Sequence, residues 1–225
     1  MACDKFLIIA NREWDMANLE VEVKFFLSDL EKARNNIKKT GGIFEMTETE
    51  NNIRFENESF SLIKNGALLR LRSANTRYTL TYKGKTTNSA SDFKIYDEIE
   101  VMVSDFDNMI KILNHIGYIQ VQRYEKIRET YTIGNVLLCL DTMPYGNFLE
   151  IEGDPERIPS IAEKLGFQWE NRILDNYLGM FEWLKKEYNL NFNDVTFDNF
   201  KQTHIDMGEC IHLFFASNEA ARRRE

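Results

Sequence analysis

The chain has 225 residues, of which 43% are hydrophobic and 28% charged, and carries a formal net charge of −8. That length suits one domain with a substantial core, and the acidic balance excludes a nucleic-acid binder working by bulk attraction. No stretch reaches the length of a membrane span, and Cys3, Cys139 and Cys210 are too scattered for a disulfide framework or a thiolate metal site, so a cytoplasmic location is expected.

Residues 1–18 have no clear period and are expected to be an N-terminal extension. The first strand follows at Glu20-Val21-Glu22-Val23-Lys24, with charges at every second position. Ser28 with Glu31 three residues on fits a capping box, so a helix is predicted from Ser28 through Lys38-Lys39, stopped by Gly41-Gly42. Ile43 to Glu56 reads as strand. Leu69–Arg72 and Arg77–Lys83 read as a hairpin turning at Ser73-Ala74-Asn75-Thr76, and the polar run from Gly84 to Asp92 reads as a loop. Phe93–Val103 is the next strand, and Ser104-Asp105 caps a helix through His115, closed by Gly117.

Strands are then predicted at Tyr118–Arg123, Glu125–Ile133, Val136–Asp141 and Phe148–Gly153, and helices at Arg157–Leu165 and Asn176–Tyr188. Domain 19–188 is expected to be followed by a tail, 189–225, in which Phe192, Val195, Phe197 and Phe200 strap onto the body. Its basic end, Arg222-Arg223-Arg224, is expected to fray. His115, His204 and His212 share no metal-ligand spacing.

Alternating charge recurs at Leu69-Arg70-Leu71-Arg72, Thr79-Leu80-Thr81-Tyr82-Lys83, Glu98-Ile99-Glu100-Val101, Lys126-Ile127-Arg128 and Leu149-Glu150-Ile151-Glu152. Such strands put charges on one face and apolar residues on the other. The helices after Phe26 and after Val103 can cover the apolar face, and a closed barrel of eight or so strands turns the ionic face inward. Buried charges survive only through mutual pairing or ligand binding. Glutamate pairs suit Mg²⁺, which is held by one or two carboxylates plus substrate phosphates and waters. Arg70 and Arg72 offer forked donors for phosphate, and Lys24, Lys83 and Lys126 add compact positive charge. The chain has neither a P-loop nor a dinucleotide fingerprint.

These segments, in this order, resemble the CYTH family, the triphosphate tunnel metalloenzymes, from about Leu19 to about Leu184. The carriers are Glu20-Val21-Glu22-Val23-Lys24, Leu69-Arg70-Leu71-Arg72, Thr81-Tyr82-Lys83-Gly84, Lys126-Ile127-Arg128-Glu129-Thr130-Tyr131 and Gly146-Asn147-Phe148-Leu149-Glu150-Ile151-Glu152. The resemblance implies an α+β fold, an eight-stranded antiparallel β-barrel (a tunnel) with helices packed on its outer face. It implies Mg²⁺ or Mn²⁺ at Glu20, Glu22, Glu150 and Glu152, with Asp141 as a further metal-supporting acid. Phosphates fall to Lys24, Arg70, Arg72, Lys83, Lys126 and Arg128, with Lys24 and Lys126 as the catalytic cations and Glu98 and Glu100 in support. Where members often read Asp-x-Tyr-Phe-Asp, this chain has Asn52-Ile53-Arg54-Phe55-Glu56, and a common Ser-Tyr pair is Asn176-Tyr177.

The expected function is metal-dependent hydrolysis of a triphosphate: a nucleoside triphosphate, thiamine triphosphate or tripolyphosphate. The alternatives are a class IV adenylate cyclase, releasing cyclic AMP and pyrophosphate, and a non-catalytic polyphosphate- or nucleotide-binding module. The expected partner is the small-molecule triphosphate, with no nucleic acid and no membrane, in a monomer or homodimer.

Overall fold

The computed structural model describes residues 19–86 and 92–218. Eight antiparallel strands form a closed barrel: β1 (Leu19–Leu27), β2 (Ile43–Asn57), β3 (Leu68–Ala74), β4 (Arg77–Lys85), β5 (Lys94–Val103), β6 (Tyr118–Ile133), β7 (Val136–Met143) and β8 (Gly146–Glu152). Around the ring the order is β1-β5-β4-β3-β2-β6-β7-β8. β1 closes it by pairing with β5 on one side and β8 on the other, so no strand edge is left open. The class is α+β, with α1 (Leu30–Lys39), α2 (Ser61–Lys64), α3 (Phe106–His115), α4 (Ile158–Lys164) and α5 (Tyr177–Glu187) around the barrel.

Three apolar clusters hold these parts together. On one outer flank α1 and α4 press Ala33, Ile37, Ile158 and Ile161 onto Val23, Phe25, Leu138, Leu149 and Ile151. On another, Phe106, Met109, Ile110 and Leu113 of α3 cover Ile53, Phe55 and Leu71. The third joins α5 to the following segment, with Phe181, Val195, Phe200, Met207 and Phe214 packed around Phe148 and Tyr145. Each side chain of this size, once fully buried, contributes about 1.5–3 kcal/mol. Val195 also ties the segment after α5 to β6 by backbone bonds, from Val195 to Arg123 at 2.8 Å and from Glu125 to Val195 at 2.9 Å.

Several local expectations are corrected. Asp29, not Ser28, caps α1: its carboxylate accepts the Lys32 N–H at 2.9 Å from an extended backbone. An ionised cap also meets the positive end of the helix dipole. Gly41, at φ +89°, then takes the left-handed conformation that ends the helix turn. The hairpin strands extend to Ala74 and Arg77, leaving a two-residue turn at Asn75-Thr76 with Asn75 at φ 52°. The expected break at Tyr124 does not occur, because β6 pairs along β2 through Asn52 opposite Tyr124. α2 was not foreseen. It is anchored by Glu56, whose carboxylate accepts the Leu62 and Ile63 N–H groups at 3.2 and 2.7 Å.

The apolar outer face is only partly covered. Ile99 and Val101 of β5 are 50% and 52% exposed, and Ile127 of β6 is 37% exposed. The described helices lie over the other flanks, so alternation alone overstated the cover. The expectations for residues 1–18, for the core of the Gly84–Asp92 loop (residues 87–91) and for Arg222–Arg224 lie outside the described residues.

Candidate functional site

Because side chains alternate along a strand, one parity of each strand faces the barrel interior. The register brings these positions together. Lys24 lies opposite Glu150 and Glu22 opposite Glu152. Lys83 lies opposite Glu98 and Thr81 opposite Glu100. Arg128 lies opposite Asp141, and Glu50 opposite Lys126. Thus acids and bases singled out from the sequence, joined by Glu50, which was not, meet across neighbouring strands around the barrel.

Inside is a cavity of about 360 Å³ lined by eight Lys and Arg side chains and four glutamates. Of the expected residues, Glu20, Glu22, Arg70, Arg72, Lys83, Lys126, Arg128 and Glu150 line it. Lys24 and Asp141 are buried in the wall behind. Glu98, Glu100 and Glu152 lie beside the cavity rather than on its lining, with Glu100 accepting from the Thr81 hydroxyl at 2.7 Å.

Asp141 is the anchor of the basic side. Its two oxygens accept from Arg128 at 2.6 and 2.5 Å, Lys126 at 3.0 Å and the Tyr177 hydroxyl at 2.9 Å. Both oxygens are engaged by protein donors, and Asp141, buried in the wall, holds Lys126 and Arg128 in place. Lys24 pairs with Glu150 at 2.6 Å, and its ammonium sits 4.2 Å from the Tyr177 ring centre. Arg128 also pairs with Glu150. Glu50 gathers Arg72 at 3.2 Å, Lys126 at 3.6 Å and Arg128 at 3.8 Å.

The acids divide into two kinds. Burial works against ionising Glu50, yet Lys126, Arg72 and Arg128 hold it down to about 2. Burial opposes ionisation of Glu22 and Glu150 likewise. Lys94 brings Glu22 to about 2, and Lys24 with Arg128 keeps Glu150 well below the usual carboxylate range. Glu20 is pushed up to about 7 by burial and by the neighbouring Glu22, against the pull of Lys83 at 2.5 Å. Glu152 is likewise raised by burial and by Glu22, and among the described residues it forms no ion pair. Glu20 and Glu152 therefore mark the side of the barrel where negative charge is under-compensated.

That side offers what a hard divalent cation takes: carboxylate oxygens lacking full cationic partners. Among the described residues no group of three or more His, Cys, Asp or Glu is gathered closely enough to hold a metal by itself. A divalent cation at these carboxylates would have to draw its remaining ligands from water and substrate oxygens, as Mg²⁺ can.

Sequence reasoning missed several lining residues. Lys94, paired to Glu22, continues the inward phase of Glu98 and Glu100 two and three pleats earlier, through Tyr96. On β2, Glu48, Glu50 and Asn52, buried behind the lining, and Arg54, on it, alternate in the same manner. The signal was hidden because Thr47, Thr49 and Asn51 make the outward phase polar too. Tyr124, which accepts from Arg70 at 3.4 Å, lay in the expected break of β6.

A family model described as the CYTH domain matches residues 18–174. A protein of Methanocaldococcus jannaschii named "Putative adenylate cyclase" is 31% identical over 147 residues, 65% of this chain and 81% of that protein. A solved structure from Vibrio parahaemolyticus aligns with a TM-score of 0.65 at 19% identity, over 73% of this chain and 98% of that one. A Hippeastrum protein described as having a dominant triphosphatase activity aligns with a TM-score of 0.52 at 15% identity, over 73% of this chain and 95% of that one. These two likenesses show the fold.

Proposed function

This chain belongs to the CYTH domain family, and from that premise we propose that its barrel binds a triphosphate with a divalent cation and hydrolyses it, releasing phosphate. One observation carries the reading: the excess of lysines and arginines over glutamates on the lining of the barrel cavity. A chain of phosphates is the common small-molecule anion with enough charge to meet such a surface. The substrate class is a nucleoside triphosphate, thiamine triphosphate or tripolyphosphate.

Glu20, Glu22, Glu150 and Glu152 would hold the Mg²⁺ or Mn²⁺ ion, which when bound supplies Lewis-acid polarisation of phosphoryl oxygens. The chain's own residues do the rest. Arg70, Arg72, Lys83 and Arg128 bind and orient the phosphates through charge-assisted hydrogen bonds. Lys126, held in place by Asp141, stabilises the charge that develops on the oxygens as the bond to the leaving phosphate breaks, and Lys24, from behind the lining, adds its field and holds Glu150. Their fixed partners mean that little reorganisation is needed at that moment. Glu98 keeps Lys83 aimed inward at 2.8 Å. A water attacks the terminal phosphorus, its oxygen forming the new P–O bond as the bond to the leaving phosphate breaks.

A class IV adenylate cyclase is the second reading. The name of the Methanocaldococcus jannaschii relative favours it, and so does the apolar lining contributed by Ile63, Ala67, Leu68 and Leu178, which could seat a base. One assay separates the readings. The purified protein is incubated with ATP, thiamine triphosphate and tripolyphosphate, each with Mg²⁺ or Mn²⁺. Orthophosphate release supports hydrolysis, and cyclic AMP with pyrophosphate supports the cyclase. Binding without turnover contradicts both and leaves a phosphate-binding module. No described helix is long and apolar enough to cross a membrane.

A further inference from the structure

Arg54 and Arg70 are directly opposite each other on β2 and β3, and both line the cavity. Opposed residues of an antiparallel pair have Cβ atoms about 4.5–5.5 Å apart, and like charges so placed destabilise a sheet. Their acidic compensation is thin. Among the described residues Arg54 pairs only with Glu56, at 3.5 Å, and that carboxylate already accepts two α2 N–H groups. Arg70 donates through its Nη atoms to the Thr81 and Tyr124 hydroxyls at 3.1 and 3.4 Å, but reaches carboxylates, those of Glu98 and Glu100, only at 3.8 Å. The neighbour of Arg54 on its other side is the neutral Gln122.

The Nε atoms of both arginines are buried and without a partner, two of three such side-chain atoms among the described residues. A buried N–H left unpaired costs about 1–3 kcal/mol, and two on facing arginines of one wall call for a shared acceptor. We infer that Arg54 joins Arg70 in binding one phosphate at the α2 end of the cavity, and that Arg54 thereby selects three-phosphate over two-phosphate ligands.

The selectivity follows from position. Arg72 lies opposite Asn52, and Lys126 opposite Glu50, so the main cationic cluster is set around residues 50–52 of β2. Arg54 sits two residues beyond Asn52 toward α2, about 7 Å along the strand. A diphosphate held by the cluster of Arg72, Lys126 and Arg128 stops short of Arg54, whereas a third phosphate extends to it. Arginine suits the task because its planar fork donates through Nε and Nη together, which lysine cannot do.

This inference rests on the triphosphate reading above. The test measures binding of the non-hydrolysable probes imidotriphosphate and imidodiphosphate, with Mg²⁺, by calorimetry on the full chain and its Arg54→Gln and Arg54→Lys variants. Expected is a loss of roughly tenfold or more in imidotriphosphate affinity for R54Q, from one charge-assisted contact. Imidodiphosphate affinity should change by less than about twofold, and R54K should fall between. The ligand-free melting temperature of R54Q should not drop, because the opposition to Arg70 is relieved. Equal weakening for both probes with a lowered melting temperature would make Arg54 merely structural and overturn the inference. Unchanged binding of both would overturn it as well, provided the unaltered protein binds. If the unaltered protein fails to bind imidotriphosphate, the reading of the site itself fails, and this inference with it.

Discussion

Asp141→Asn tests whether this carboxylate holds the cationic wall or serves the metal. The side chain is fully buried and accepts from Arg128, Lys126 and Tyr177. Removing one partner of a buried ion pair costs about 3–5 kcal/mol. Here the remaining groups are not all stranded: Lys126 keeps Glu50 at 3.6 Å, and Arg128 keeps Glu150 and Glu50. The loss should therefore sit near the lower end, about 3 kcal/mol, with the orphaned Tyr177 hydroxyl and the repulsion of two neighbouring cations as its sources. Urea unfolding followed by tryptophan fluorescence should show a midpoint lower by about 1 M, for a slope of about 3 kcal/mol/M. The drop should be the same in EDTA and in excess Mg²⁺, because the metal is assigned elsewhere. A variant as stable as the unaltered protein in EDTA but no longer stabilised by Mg²⁺ would refute this reasoning and return Asp141 to the metal.

Three further predictions concern single side chains. Glu20 has its folded value raised to about 7, so as pH rises from about 4.5 to 7 the unfolded carboxyl ionises before the folded one and stability falls. Glu20→Gln removes that penalty. In EDTA it should match the unaltered protein at pH 4 and exceed it by up to about 3 kcal/mol at pH 8, and parallel pH curves would contradict the assignment. Glu22→Gln should abolish turnover while circular dichroism stays unchanged, and retained activity would remove Glu22 from the metal site. Arg72→Ala, which withdraws a cavity donor held by Asn52 at 3.0 Å, should raise KM by roughly tenfold or more with a smaller effect on kcat. An unaltered KM would show that Arg72 does not touch the substrate.

Alternation was legible wherever one strand face is ionic and the other apolar. Glu20, Glu22 and Lys24 interleave with Val21 and Val23, so their common inward direction could be read before any coordinates. The same holds for Arg70 with Arg72 and for Glu150 with Glu152. On β2 the outer face is threonine and asparagine over residues 47–51, which leaves no apolar phase to betray the inner one. Partner choice was illegible for a different reason. Which carboxylate meets which cation depends on the stagger of the closed barrel, so Lys94 on Glu22 and Tyr177 on Asp141 appear only with the register. Helix ends were legible to within a residue, and the one-residue error at Ser28 came from two adjacent residues that can both cap.

On the reading proposed above, the interior of this barrel holds a chain of phosphates together with a divalent cation. Crystals grown with Mn²⁺ and imidotriphosphate, with diffraction data collected at the manganese edge, test it directly. The account predicts phosphate density between Arg70, Arg72, Lys126 and Arg128, and an anomalous peak against Glu20, Glu22, Glu150 and Glu152. An empty interior at saturating ligand, or manganese and phosphate bound only on the outer surface, would contradict it.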